Sequence, residues 1–431
     1  MDTSLLAWYL APAAALVLVY VVRRKRAEAA HARELAGSIA AGLTEPPSLH
    51  PTVDPLRCIG SGGCVRACPE KALGLVAGRA TLVSPAACIG HGACEASCPV
   101  QAITLVFGSE RRGVDIPRVD PHFETNVRGV FIAGELGGMG LIRKASEQGR
   151  QAIRTIASRP RSSAALDVMI VGAGPAGIAA GLAAIDAKLR YRVIEQEPDL
   201  GGSVLHYPRH KIAMTQPVEL PIVGTMRFTE VSKEALLAFW RRIVGGTGLQ
   251  VHFSERFEKL ERNGDGFRVV TDRGAHDAGH VVLAIGRRGT PRKLGVDGEE
   301  LPKVVYRLVD PAQYRGQRVL VVGGGDSAIE AALACAAEEG SVVTIAYRGE
   351  AFNRVKPANR ERLEAARTAG SIEVLTGTDV VRIAPDHVDL VAAGATRALA
   401  NDWVIVQAGG VLPTDLLRSV GIEVETKFGS A

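Results

Sequence analysis

The sequence predicts an α/β protein with two Rossmann-like domains, a small α+β domain and an N-terminal transmembrane helix. Three observations predict it. Two glycine-rich turns, "GAGPAG" at 172–177 and "GGGDSA" at 323–328, each stand between a Val/Ile-rich strand and an Ala-rich helix, which is the opening of a βαβ unit. A cysteine-bearing segment occurs twice within residues 53–107, each copy reading loop, short helix, strand. Residues 5–22, "LLAWYLAPAAALVLVYVV", form an uncharged apolar run of 18 residues, just long enough to span a bilayer as a helix.

The N-terminal run comes first in the chain. Trp8, Tyr9 and Tyr20 lie toward its ends, as interfacial aromatics do. "RRKR" at 23–26 follows at once, and only Asp2 is charged before it, so the positive-inside rule places the N-terminus outside and the rest in the cytoplasm. A cleaved signal peptide fits poorly, because no basic region precedes the run. The expectation is a single-pass anchor over residues 1–26 in the cytoplasmic membrane. A helical-to-extended linker follows over 27–52, then the small domain over 53–110.

Composition narrows the class of protein. A chain of 431 residues, 47% hydrophobic and 23% charged, has room for two or three cored domains and is not disordered. The net charge of +5 is small for the length, and no basic block is interleaved with aromatics, so nucleic acid is excluded as a partner. Six of seven cysteines fall in the repeat and the seventh, Cys335, stands alone in an apolar helical stretch. That is cofactor usage in a reducing compartment and not a disulfide framework.

In the first glycine turn Gly172 allows the tight bend, Gly174 lets backbone approach a pyrophosphate, and Gly177 lets helix pack on strand. Pro175 and Ala176 begin the helix whose N-terminus faces the phosphates. Glu195, 23 residues beyond Gly172 at the end of the next strand, is placed to accept hydrogen bonds from a ribose. The second turn repeats the device with Gly323, Gly325, Asp326 and Ser327. Its next strand ends at Tyr347-Arg348, with Arg354 close behind, and no acid stands at the ribose position. Cations there suit a 2′-phosphate, which favours NADPH, with NADH the alternative.

The two cysteine segments read "CIGSGGCVRACP" and "CIGHGACEASCP". Each resembles the C-x2-C-x2-C-x3-C-P motif of two-cluster bacterial ferredoxins, with the second cysteine replaced by Ser61 in one copy and His91 in the other. In that family the fourth cysteine of each motif serves the other cluster. The resemblance implies one site of Cys58, Cys64 and Cys98 with Ser61, and another of Cys88, Cys94 and Cys68 with His91. Three thiolates hold a [3Fe-4S] cluster, or a [4Fe-4S] cluster whose fourth iron takes Ser61 or His91. Zinc, and an empty fold, are the alternatives.

The paired glycine turns, one with an acid and one with cations, resemble the thioredoxin-reductase-like flavoproteins over residues 115–157 and 166–426. The resemblance implies FAD at the first turn, NADPH at the second, and a domain-joining Ala284-Ile285-Gly286. It also implies that the acid of "ETNVRGVFIAGE", here Gly134-Glu135, holds the flavin ribitol. In the family that segment is late; here it precedes the first turn, as a circular permutation would place it. The expected order is a displaced FAD-domain segment at 115–157, the FAD domain at 166–290, the NAD(P) domain at 291–400 and a return to the FAD domain at 401–431. The redox C-x-x-C of thioredoxin reductases is missing. "YPRHKIAMTQPVELPI" is instead similar to a loop of bacillithiol-disulfide-reductase-like flavoproteins.

The expected function is a membrane-anchored oxidoreductase moving electrons between NAD(P)H, FAD and two iron–sulfur clusters, to or from an electron-transfer protein or membrane redox partner. A homodimer is compatible with this. The rivals are a flavin-dependent reductase of a small-molecule disulfide and a redox-sensing or docking subunit with little turnover. No residue is assigned as catalytic acid or base.

Overall fold

A computed structural model describes residues 3–46, 49–110, 113–138, 140–207, 209, 211–287, 291–352, 355–411 and 413–429, with side chains from residue 12 onward except those of Ala13 and Met214. The chain forms two compact units. One comprises Met1–Gly113, Ala351–Ala358 and Phe428–Ala431, the other Val114–Glu350 and Asn359–Lys427.

The first unit begins with a helix, Thr3–Ala40. Its C-terminal half is bonded to the cysteine domain and is not the linker that the sequence suggests. His31 Nδ1 accepts a hydrogen bond from Leu75 N at 3.1 Å, Ser38 Oγ donates to Val83 O at 2.8 Å, and Arg24 Nη2 donates to Gly60 O at 3.4 Å. Gly74 makes this docking feasible, since a Cβ there would stand 2.6 Å from the His31 ring. The helix ends where Gly42, at φ +67°, turns the chain so that Leu43 N reaches Ser38 O. Among the described residues no helix is long and apolar enough to cross a membrane. The apolar run at residues 5–22, expected as a transmembrane helix, is helical as the first part of Thr3–Ala40. Only Pro12 and residues 14–22 of that run have described side chains, and beyond it the helix continues through charged residues onto the cysteine domain.

The cysteine domain is two antiparallel strand pairs, His50–Val53 with Ile103–Val106 and Leu73–Val76 with Arg79–Leu82. Two short helices, Gly63–Ala67 and Ala93–Ala96, carry Cys64 and Cys94 inward. Each cysteine loop needs two left-handed glycines, Gly60 and Gly62 in one copy and Gly90 and Gly92 in the other. Ser61 and His91, at the positions of the replaced cysteines, sit between them.

The second unit holds two Rossmann-like sheets. In the first, Leu166–Val171 lies between Tyr191–Ile194 and Gly274–Leu283, all parallel. Val130–Ile132, from ahead of the glycine turn, also pairs parallel with Gly274–Leu283. The second sheet runs Val304–Val305, Trp403–Val406, Arg318–Val322, Val342–Ala346 and Ile372–Leu375, all parallel. Trp403–Val406 thus belongs to the second sheet, so the chain returns to the first domain later than residue 401. Leu417 and Ile422 make that return, packing with Val130, Met169 and Leu283.

The rewiring is visible at one strand pair. Val424–Lys427 pairs antiparallel with Val114–Pro117, Lys427 opposite Val114 and Val424 opposite Pro117. Asn126 locks the pair by donating to Gly421 O and accepting from Glu423 N, both at 2.9 Å. The two strands lie as the arms of a hairpin whose connecting turn is cut, with Val114 about 300 residues ahead of its partner in the chain.

The helix Ile142–Ala157 crosses the helix Pro175–Asp186 so closely that a Cβ on Gly149 would stand 2.1 Å from Ala176 O. Gly149→Ala is expected to destabilise the second unit by about 1–3 kcal/mol through overpacking, read as a lower thermal midpoint than Gly245→Ala, where nothing lies within 4 Å.

Candidate functional site

At the first glycine turn Gly172 has φ +107°, and a Cβ there would stand 2.5 Å from Ala284 O. At Gly177 a Cβ would be 1.8 Å from Gly172 O. Both positions demand glycine for the fold itself. Gly174 is different: its nearest neighbour would be Gly202 Cα at 3.7 Å. Two glycines face each other across a slot at the N-terminus of the helix Pro175–Asp186, a cradle for a pyrophosphate. Glu195 is buried, and its two oxygens accept from Ala173 N at 2.7 Å and Glu197 N at 3.0 Å. Burial holds its carboxyl above the usual range while those N–H groups pull it back. An amide could not accept both donors, which explains the acid.

The displaced segment reaches the same turn. Gly134 N donates to Gln148 Oε1 at 2.8 Å, and a Cβ on Gly134 would stand 3.1 Å from Ala176 Cβ. Glu135 opens the short helix Glu135–Gly137 immediately after. Gly286, at φ +69°, follows the strand Gly274–Leu283 and faces Ser203. The first turn, Glu195, Gly134-Glu135 and Gly286 therefore belong to one sheet end, and the residues present fit an FAD.

At the second turn a Cβ on Gly323 would be 2.4 Å from Gln407 O, whereas Gly325 faces open space at the N-terminus of the helix Asp326–Ala336. The ring of Tyr347 lies over Gly324, where a Cβ would be 2.1 Å away. Arg348 is exposed at the end of the strand Val342–Ala346. Asp326 accepts from Asn359 Nδ2 at 2.8 Å. Arg354 lies outside the described residues. Cys335 is fully buried and burial pushes its thiol up to about 12, so it is inert as a nucleophile.

The cysteines line two cavities in the first unit. Cys58, Cys64 and Cys98 surround one, together with Ser61 and Val100. Cys68, Cys88 and Cys94 surround the other, together with His91 and Glu70. The grouping is the crossed one that the ferredoxin resemblance implies. Backbone N–H groups are aimed at sulfur in both, Ala80 N to Cys58 Sγ at 3.4 Å, Ala72 N to Cys68 Sγ at 3.4 Å and Ala102 N to Cys98 Sγ at 3.2 Å. Such bonds favour thiolate and tune cluster potentials. Burial pushes the Cys94 thiol up to about 11, and Cys88 likewise to about 11 with the Cys68 and Glu70 charges nearby. Among the described residues no three Cys, His, Asp or Glu side chains group tightly enough to hold one metal ion. The thiols stand instead around two hollows, the arrangement that a multi-iron cluster fits. Nothing in the motif itself marks Glu70 as a ligand. Its place after a crossing cysteine and proline was the available signal.

Two glycine turns on parallel sheets, joined to a paired cysteine domain, define a flavin- and nicotinamide-binding oxidoreductase class. Residues 169–429 match the pyridine nucleotide-disulphide oxidoreductase family, and the chain belongs to it. Residues 50–99 match the 4Fe-4S dicluster domain. The chain is thus a pyridine-nucleotide-dependent flavin oxidoreductase with an iron–sulfur-type domain. It is 33% identical to a ferredoxin–NADP reductase of Thermus thermophilus over 271 residues, 60% of this chain and 77% of that protein. It is 26% identical to the bacilliredoxin reductase Bdr of Bacillus subtilis over 61% of this chain and 82% of that one. The solved bacillithiol disulfide reductase of Staphylococcus aureus superposes with a TM-score of 0.55 at 25% identity, covering 60% of this chain and 81% of that one.

Proposed function

We propose that the protein carries electrons between NADPH and a one-electron partner of ferredoxin type, through FAD and two iron–sulfur clusters. The observation that supports this most is the crossed grouping of six cysteines around two cavities, on the same chain as two dinucleotide turns. FAD, when bound, supplies the exchange between two-electron and one-electron chemistry. The chain's residues do the placing. The slot between Gly174 and Gly202 admits the pyrophosphate, Glu195 holds the ribose, and Glu135 stands at the ribitol. Arg348 attracts a 2′-phosphate at the second turn. The cysteine trios hold the clusters, with Cys64, Cys88 and Cys94 buried and Cys58, Cys68 and Cys98 partly exposed. Clusters of three or of four irons both suit three thiolates.

Anaerobic addition of NADPH to reconstituted protein tests this. The expected result is bleaching of the flavin followed by reduction of at least one cluster. A protein that holds no iron after reconstitution overturns it. Nicotinamide choice is tested at Arg348. Arg348→Ala is expected to weaken NADPH about 10-fold or more, by losing one charge-assisted contact, and to leave NADH nearly unchanged. Equal loss for both would assign Arg348 elsewhere.

Similarity to bacillithiol disulfide reductases favours a second reading, reduction of a small-molecule disulfide. It predicts NADPH oxidation with a disulfide that does not depend on iron. Location rests on the sequence: cations at 23–26 after the apolar run favour a cytoplasmic side for residues 27–431. Complete release of the protein from membranes by alkaline carbonate would exclude an anchor.

A further inference from the structure

The two cysteine cavities are built by equivalent halves of a repeat, yet they are not lined alike. Val100 follows Cys98-Pro99 and lines the first cavity; Glu70 follows Cys68-Pro69 and lines the second. One site therefore receives an isopropyl group where the other receives a carboxylate. Glu70 Oε1 is buried and has no hydrogen-bond partner among the described residues. Glu70 itself is only half-buried, but a carboxylate oxygen turned out of solvent into a cavity wall without a partner calls for a ligand. The walls around it are Cys68, Cys88, Cys94 and His91, with apolar Leu73 and Leu82.

His91 is the obvious fourth ligand from its position in the motif, but its ring is turned unfavourably. His91 Nδ1 accepts from Ala93 N at 3.4 Å. A neutral ring in that pose carries its proton on Nε2, the nitrogen that faces the buried side, where a metal needs a lone pair. Ser61 in the other half accepts from Gly63 N in the same way, at 3.5 Å. The residues replacing the second cysteines thus share a local backbone contact, and only the second cavity contains a further donor.

We propose that Glu70 is an oxygen ligand of the second cluster, on the iron for which Cys68, Cys88 and Cys94 leave no thiolate. The proposal rests on the iron–sulfur reading above. It makes the two sites chemically distinct. Three thiolates and a carboxylate carry the same charge as four thiolates, so the second cluster keeps a full complement of anionic ligands. The first site has only a serine hydroxyl to offer. An imidazole in place of the carboxylate would instead remove one negative charge and raise the potential.

The test uses the full chain, reconstituted anaerobically with iron and sulfide. Glu70→Ala, Glu70→Gln, His91→Ala and Val100→Ala are compared by iron per chain and by EPR of oxidised and reduced protein. The expected result is that Glu70→Ala and Glu70→Gln lose about one iron per chain and gain the oxidised-state signal of a three-iron cluster. His91→Ala and Val100→Ala should keep the parent iron count. An unchanged signal from the other cluster shows that the domain is folded. If Glu70→Ala loses both clusters, the isosteric Glu70→Gln decides. Parent iron counts and spectra in both Glu70 variants overturn the proposal, as does a three-iron signal that appears with His91→Ala instead. Absence of iron from the parent protein is a different outcome and defeats the iron–sulfur reading itself.

Discussion

Cys64→Ala combined with Cys94→Ala is expected to remove one-electron delivery and to leave NADPH-to-flavin reduction intact. Each cavity then retains two thiols, Cys58 with Cys98 and Cys68 with Cys88. Two thiolates do not hold a cubane against loss. The substitutions cost packing too, because Cys64 and Cys94 are buried in the core of the cysteine domain with Leu73 and Ile103. About 1–2 kcal/mol is lost from that domain alone. The flavin-binding residues lie in the other compact unit and keep their contacts. The measurement is paired: anaerobic flavin bleaching by NADPH, and reduction of a one-electron acceptor protein under the same conditions. Unchanged acceptor reduction without iron would remove the clusters from the path and favour the small-molecule disulfide reading.

Gly177→Ala is expected to abolish flavin binding, and Gly325→Ala to leave the second domain folded with weakened NADPH. The contrast comes from what each added methyl meets. At Gly177 it would stand 1.8 Å from Gly172 O, which is backbone of the turn itself. The helix Pro175–Asp186 must move away from the sheet, taking its N-terminus out of line with the slot. The cost is several kcal/mol, about the 3 kcal/mol upper range for overpacking or more. At Gly325 nothing lies within 4 Å, so the methyl occupies only the space where a pyrophosphate would sit. Stoichiometric flavin in Gly177→Ala protein, measured by its visible absorbance, would show that the turn does not hold FAD. NADPH affinity unchanged in Gly325→Ala would say the same of the second turn. Ala328 already replaces the third glycine there, with its Cβ 3.1 Å from where a Gly323 Cβ would be. The second helix therefore tolerates a methyl at the position where the first does not.

Local chemistry made much of this protein legible from its sequence. Gly172, Gly174 and Gly177 announce themselves because a bend, a phosphate approach and a helix–strand contact each exclude Cβ, and those needs are fixed within a few residues. Glu195 follows from strand length. The cysteine trios follow from a repeat whose crossing ligation is a property of spacing. The displaced segment at 126–135 was also readable, since a strand ending in Gly134-Glu135 lacks a sheet of its own until it pairs with Gly274–Leu283. Tertiary structure decided the rest, for reasons that lie far apart in the chain. The charged part of Thr3–Ala40 reads as a linker because nothing local shows that His31 bonds to Leu75, 44 residues away. Trp403–Val406 looks like any apolar strand, and only its pairing with Arg318–Val322 assigns it to the second sheet. Glu70 is an ordinary surface residue in one dimension. It becomes a candidate ligand only when the two halves of the repeat close on each other and leave its Oε1 buried in a cavity with three thiols, without a donor to bond among the described residues.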